Sequence, residues 1–259
     1  MPAAAGALPK NQTSFSCPTI RLQAKMIHQH IFASPRPGMS EQEFQDYWRY
    51  VHAINYAVPI PQVRKYKIDC KIDIVSTYHP LAYAGLAEIW LNNDQEQAES
   101  VLTPEYLEGA KKDEKKWAAA WQTLVLDTSS TLLYELAAQH KDLPDYKLLV
   151  LLKRKEDSNL ERFRQHILTS NAELARNTPG LIRNLCCFVR DRYYANGSEP
   201  FFDYVGHFSA ESFLGLKEMM TSNYWQEHMH ADFTTIADPW IHACMTLRSE
   251  WVIGPEARA

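Results

Sequence analysis

Residues 25–33 (KMIHQHIFA), apolar at both ends around a polar centre, read as a strand, and the strand's period of two puts Met26, His28, His30 and Phe32 on one face. After the turn SPRPGMS, Ser40 with Glu43 three residues on has capping-box spacing, and the spacing predicts a helix from Glu41 to Ala57 that stops before Pro59 and Pro61. Residues 62–75 read as extended, the β-prone run 82–92 (AYAGLAEIWLN) as a third strand, 94–117 as a broken helix and 121–136 as a fourth strand. The same order follows once more: strand 146–155, helix 159–177, strands 181–191 and 201–210, a helical stretch 210–237, and strand 240–253.

The second pass is a repeat of the first. Shifting the chain by 119 residues superposes Phe44 on Phe163, Ala53 on Ala172, Arg64 on Arg183, Asp113 on Asp232 and Trp121 on Trp240 without a gap. Each half reads βαββαβ, a unit whose helices cover only one sheet face, so the other face needs a partner. Two tandem units supply that partner within one chain. The expected fold is α+β: tandem ferredoxin-like halves, 25–138 and 145–259, packed sheet to sheet as a pseudo-dimeric α+β barrel. Residues 1–24 are expected to form a flexible arm, because Pro2, Pro9 and Pro18 oppose a targeting helix. The linker runs from Ala138 to Asp145.

Composition narrows the function. A formal net charge of -4 with no basic block lacks the footprint of a nucleic-acid binder, and no run approaches the ~18 apolar residues of a membrane span, so neither nucleic acid nor membrane is an expected partner. Five scattered cysteines without CxxC suit reduced thiols and a cytoplasmic location. Nucleotide loops, the GxSxG elbow and HExxH are all missing, and nine glycines are few for phosphate-cradling loops.

The stretch PGMSEQEFQDYWRYVHAINYAVP (37–59) resembles the signature of EthD-type proteins of the dimeric α+β barrel superfamily, in which a Pro-Gly turn leads to a helix carrying a Phe, a Tyr-Trp pair and a His. The segments AGLAEIWLN (84–92) and TPEYLEGAKKDEKKW (103–117) resemble that family's third strand and Asp-containing helix. The likeness is good across 26–136 and weaker across 145–252, where Asn171 answers His52 and Glu156-Asp157 the Pro-Gly turn. It implies a ligand pocket between helices and sheet, in a superfamily that includes cofactor-free monooxygenases, polyketide cyclases, decarboxylases and heme enzymes. A heme-binding barrel, with His166 or His207 as axial ligand, is one alternative the residues leave open.

Histidines carry the candidate chemistry. His28 and His30 share a strand face and His52, two helical turns after Phe44, is expected to point toward the same interior, with Glu88 and Tyr66 completing a first-half acid/base cluster. A metal site needs a third ligand, and none stands at a defined spacing, so no metal and no cofactor is expected. The second half offers His207 with Tyr224 and His228, a set that resembles the Tyr and His of polyketide cyclases; His230 reads as solvated, and His79, His140, His166 and His242 as surface or core residues without partners. Tyr66, Glu88, Tyr106 and Trp225 are the candidate substrate contacts.

These features point to a cofactor-free enzyme of lyase or isomerase type, acting in secondary metabolism on a hydrophobic polyketide or terpenoid intermediate by His/Tyr acid–base catalysis (cyclisation, isomerisation, dehydration or decarboxylation). The alternatives are a cofactor-independent monooxygenase and a non-catalytic small-molecule-binding or accessory protein. The chain is expected to be a monomer with an internal pseudo-dimer, or a homodimer.

Overall fold

A computed structural model describes residues 26–74, 80–136 and 145–259. The arm 1–24, the linker residues 138–144, and with them Cys17, His79 and His140, lie outside the described residues.

The first half contains β1 (Ile27–Ala33), α1 (Glu41–Tyr47), β2 (Lys65–Lys71), β3 (Gly85–Leu91), α2 (Asp94–Ser100), α3 (Lys111–Glu114) and β4 (Leu124–Glu135). The second contains β5 (Asp145–Arg154), α4 (Leu160–His166), α5 (Ala172–Arg176), β6 (Arg183–Val189), β7 (Tyr204–Ala210), α6 (Phe213–Thr221), α7 (Ala231–Ile236) and β8 (Ala237–Ile253). The Ser40 capping box forms as the spacing predicts: the hydroxyl accepts from the Glu43 N–H and the Glu43 carboxylate accepts from the Ser40 N–H. Past Tyr47 the helix widens into π-helical turns over Trp48–Ala57. Similar turns occur at Glu105–Ala110, Ile167–Asn171 and Trp225–His230, so both halves widen at corresponding places.

The eight strands close into one barrel in the order β1-β3-β2-β8-β5-β7-β6-β4, every neighbouring pair antiparallel. Each half contributes four adjacent strands, and β2 with β8 and β4 with β6 seal the two seams. The halves therefore meet by their edges as well as by their inner faces, and the ring has no free strand edge.

Strand alternation sorts side chains into three compartments. Phe44, Trp48, Trp117, Tyr66 and Ile68 fill the space between the first-half helices and sheet. Phe163, Phe208, Trp225, Met229 and Phe233 fill the second. Inside the barrel, Phe32, Leu86, Leu149, Leu151, Val205 and Leu247 form an apolar plug. Gly206 in β7 is fixed by packing, since a Cβ there would lie 2.3 Å from the Tyr204 hydroxyl.

Beside that plug the barrel buries charge. Lys147 binds Glu88 and lies 3.0 Å from Asp69, and Lys67 lies 2.9 Å from Asp145, all three pairings linking one half to the other. Replacing Lys147 by Ala leaves two buried carboxylates without their cation, and the expected loss is about 3–5 kcal/mol of unfolding free energy in urea. Lys112→Ala, which removes an exposed helical ion pair, is expected to cost under about 1 kcal/mol.

Candidate active site

The sheet separates residues that the sequence groups together. His28, His30 and Glu88 lie on the barrel-facing side with His207 from the second half, whereas His52 and Tyr66 lie on the helix side. The expected first-half cluster of all five is therefore not formed, because strand parity tells which residues share a face but not which face is inward. His52 remains over the same sheet, on its opposite side.

On the helix side His52 finds a partner in Asp113 of α3. Its Nδ1 lies 2.9 Å from Asp113 Oδ2, and the Tyr47 hydroxyl donates to Asp113 Oδ1 at 2.9 Å. Tyr47 and His52 are five residues apart, about 140° around an α-helix, so a regular helix would not aim both at one carboxylate. The i→i+5 turns that begin at Trp48 bring them onto the same side; the Val58 N–H donating to the Ala53 carbonyl at 2.9 Å shows that wider pitch.

The electrostatics are those of an oriented base. Burial pushes the Asp113 carboxyl up, but hydrogen bonds from Lys116, His52 and Tyr47 outweigh it and hold the group below its ordinary value, so it is ionised at neutral pH. Burial lowers the His52 imidazole, with Asp113 opposing. Two groups compete for Nδ1, the ionised Asp113 carboxylate at 2.9 Å, which only accepts, and the Trp117 indole N–H at 3.2 Å, which only donates; the shorter, charged contact favours a neutral ring with its proton on Nδ1 and Nε2 as the base. The Trp117 indole lies 3.2 Å from the same Nδ1 and packs its ring at 4.7 Å from His52, closing the inner side. On the outer side Tyr47 also lines an open depression of about 560 Å³ with Arg36, Met39, Glu43, Tyr50 and Val51. That volume suits a small organic molecule.

The second half keeps the same frame with its residues exchanged. Asp232 is held by His166 at 2.6 Å and by Asn171 at 2.9 Å, again five residues apart across a π-helical turn. His166, expected to lack a partner, thus has one. Tyr224 and His228 do lie together, ring centroids 4.6 Å apart, but on the outer helix layer, with His228 exposed and the Tyr224 hydroxyl donating to the Leu174 carbonyl. His207 sits across the sheet, so the expected trio is not assembled. Trp225 is fully buried against Phe208 and fills core, and Tyr66 is likewise buried, its hydroxyl accepting from the Trp48 indole at 3.2 Å. Tyr106 is half-buried against the first-half core. His230 is half-buried beside His242 rather than solvated. Glu88 is an internal ion-pair partner with 2% exposure, away from the depression.

Asp113, Tyr47 and Lys147 are the functional or structural side chains that sequence reasoning missed. The coincidence of Asp113 with Asp232 at the repeat offset, next to a helix His, was the available signal for the first.

Comparison with known proteins fits this architecture. Residues 36–120 match the EthD domain family model. Among curated proteins no match is found. The fold resembles an anthrone oxidase-like protein (TM-score 0.62, 8% identity, covering 93% of this chain and 98% of that one). It also resembles two candidate monooxygenases, from Fusobacterium nucleatum (TM-score 0.58, 10% identity, 91% and 99% covered) and from Lactobacillus acidophilus (TM-score 0.51, 13% identity, 90% and 98% covered). At these identities the likeness is one of fold. Among the described residues no helix is long and apolar enough to cross a membrane. The match to the EthD family model thus covers residues 36–120, and the second half repeats the same α+β fold on a different sequence.

Proposed function

We propose that the protein is a small-molecule enzyme that works by proton transfer at His52, on a carbon acid such as a phenolic or polyketide-derived ketone that enters from the Tyr47-lined depression. The observation that carries this reading is the Tyr47–Asp113–His52 arrangement, an imidazole held by an ionised carboxylate whose other partner, Tyr47, lines a ligand-sized depression. In the first step the substrate C–H bond breaks, its proton goes to His52 Nε2, and the electron pair moves onto the carbonyl oxygen as an enolate. Asp113 stabilises the imidazolium that forms, as an orienting carboxylate does in other His-based catalysts. Arg36, exposed at the rim of the depression, is the cation available to an enolate oxygen.

Cyclisation, isomerisation and oxygenation all diverge after that enolate. The names of the neighbours, candidate monooxygenases and an anthrone oxidase-like protein, favour oxygenation of the carbanion by dioxygen over ring closure. His28, His30, Glu88 and His207 belong to the enclosed barrel interior, and Tyr224 and His228 to the far helix layer, so this reading assigns them no step at the base.

The test is deuterium exchange into tricyclic aromatic ketones and 1,3-diketones in D2O, followed by NMR. The wild-type chain is expected to accelerate exchange of at least one compound, and His52→Ala to slow it about 10²–10⁴-fold with the thermal midpoint little changed. Equal exchange by wild type and His52→Ala would contradict the reading. The pH dependence has a definite sign. His52 is a base only when unprotonated, and burial lowers its affinity for the proton, so the rate is expected to hold at pH 7 and fall only below about pH 6.5. Asp113→Asn removes the interaction that opposes burial, and is expected to move this acid limb to lower pH while reducing the plateau rate.

A further inference from the structure

We propose that the barrel interior binds a divalent transition-metal ion, held by one imidazole nitrogen from each of His30 and His207 and by the Glu88 carboxylate. The three side chains come from β1, β7 and β3, are 0–3% exposed, and offer ligand atoms that all lie within 4.8 Å of one another. The two Nε2 atoms are 2.9 Å apart, and His207 Nδ1 is 3.7 Å from Glu88 Oε2. Donors bound to one ion at about 2.1 Å stand about 3.0 Å apart at a right angle and about 3.4 Å apart at a tetrahedral angle. The two Nε2 atoms already stand near that spacing, and since the three ligand atoms lie within 4.8 Å of one another, a shift of about an ångström or a turn of the His207 ring closes the shell. Two imidazoles and a carboxylate suit zinc or ferrous iron rather than calcium or magnesium.

Two further observations suit a cation here. The first is a conflict of protons. If His207 donates its Nε2–H to His30, its Nδ1 lone pair faces the Glu88 carboxylate with no proton between them. If His30 donates instead, its own Nδ1 is left bare, and that atom is buried with no hydrogen-bond partner. In the second case a lone pair is buried unsatisfied, and in the first a lone pair stands against an anion, which is costly too. An ion shared by the rings accepts the lone pair. The second is charge. Around these neutral rings Lys67 and Lys147 face three carboxylates, Asp69, Glu88 and Asp145, while Arg183 at the rim is paired with Glu135. The enclosed cluster thus has no excess of positive charge to oppose an ion.

The surroundings fit a supported site. His28 donates from Nε2 to Glu88 Oε2 at 2.7 Å and has the Cys187 thiol 3.6 Å from its other nitrogen, while Lys147 holds the second Glu88 oxygen. Such outer contacts orient ligands in metal sites. A cavity of about 20 Å³ borders Glu88 and His207, room for one water as a further ligand.

The experiment uses the full chain and cobalt(II) as probe. One sample is purified without chelator and its metal content measured; a second is unfolded, stripped with EDTA and refolded with or without Co2+. The expected result is one ion per chain, d–d absorption bands in the refolded cobalt protein, and a higher thermal midpoint with Co2+ than without. His30→Ala and His207→Ala are expected to lower cobalt affinity at least tenfold, and His52→Ala to leave it unchanged. Should either barrel variant fail to fold, the wild-type midpoint with and without Co2+ still decides. Substoichiometric metal with no midpoint shift, or cobalt binding undiminished in folded His30→Ala, would overturn the proposal in favour of a plain hydrogen bond between the rings.

Discussion

The uncovered face of each four-stranded sheet is the constraint on which the rest depends. A βαββαβ unit clothes one side of its sheet and leaves the other bare, and here the two bare sides close around a shared interior that is half apolar plug and half charge cluster. Closure takes both seams, β2 with β8 and β4 with β6. Everything outside follows from that closure, because it fixes which alternate residues face inward and hence which are left for the helix layers.

Tandem fusion lets the interior be complementary rather than identical. In a symmetric dimer each contact is repeated by the symmetry axis, so equivalent positions face the same partners twice. Across this pseudo-dimer the position of His28 is taken in the second half by Lys147, and that of Glu88 by His207. Lys147 of one half therefore reaches Glu88 and Asp69 of the other, and His207 reaches His30. Divergence of the second half is thus a requirement of the interior. The helix layers diverged too: Tyr47, His52 and Asp113 are answered by His166, Asn171 and Asp232 around the same carboxylate.

Much of the fold was legible in the residues. Strand alternation, the Ser40–Glu43 cap and the 119-residue repeat place nearly every element, because each is a local signal. What stayed hidden was non-local. The period of two puts His28 and His30 together but does not say that they face away from His52. An α-helical period places Tyr47 and His52 apart, and only the widened turns bring them to Asp113. Ligands for an interior site lie on three strands remote in sequence, and no spacing rule lists them. Resemblance to the EthD signature pointed to the helix His without naming the carboxylate that orients it.

Proton chemistry at His52 rests on one microscopic fact, the position of the ring proton. A 15N-edited spectrum of the histidine ring nitrogens at pH 7, with His52 assigned by comparison with His52→Ala, reads it directly. A neutral ring protonated on Nδ1, its Nε2 resonance that of a bare nitrogen and reverting toward a mixture of tautomers in Asp113→Asn, is the predicted result. A proton resident on Nε2 would contradict the account, since the nitrogen offered to substrate would no longer be a base.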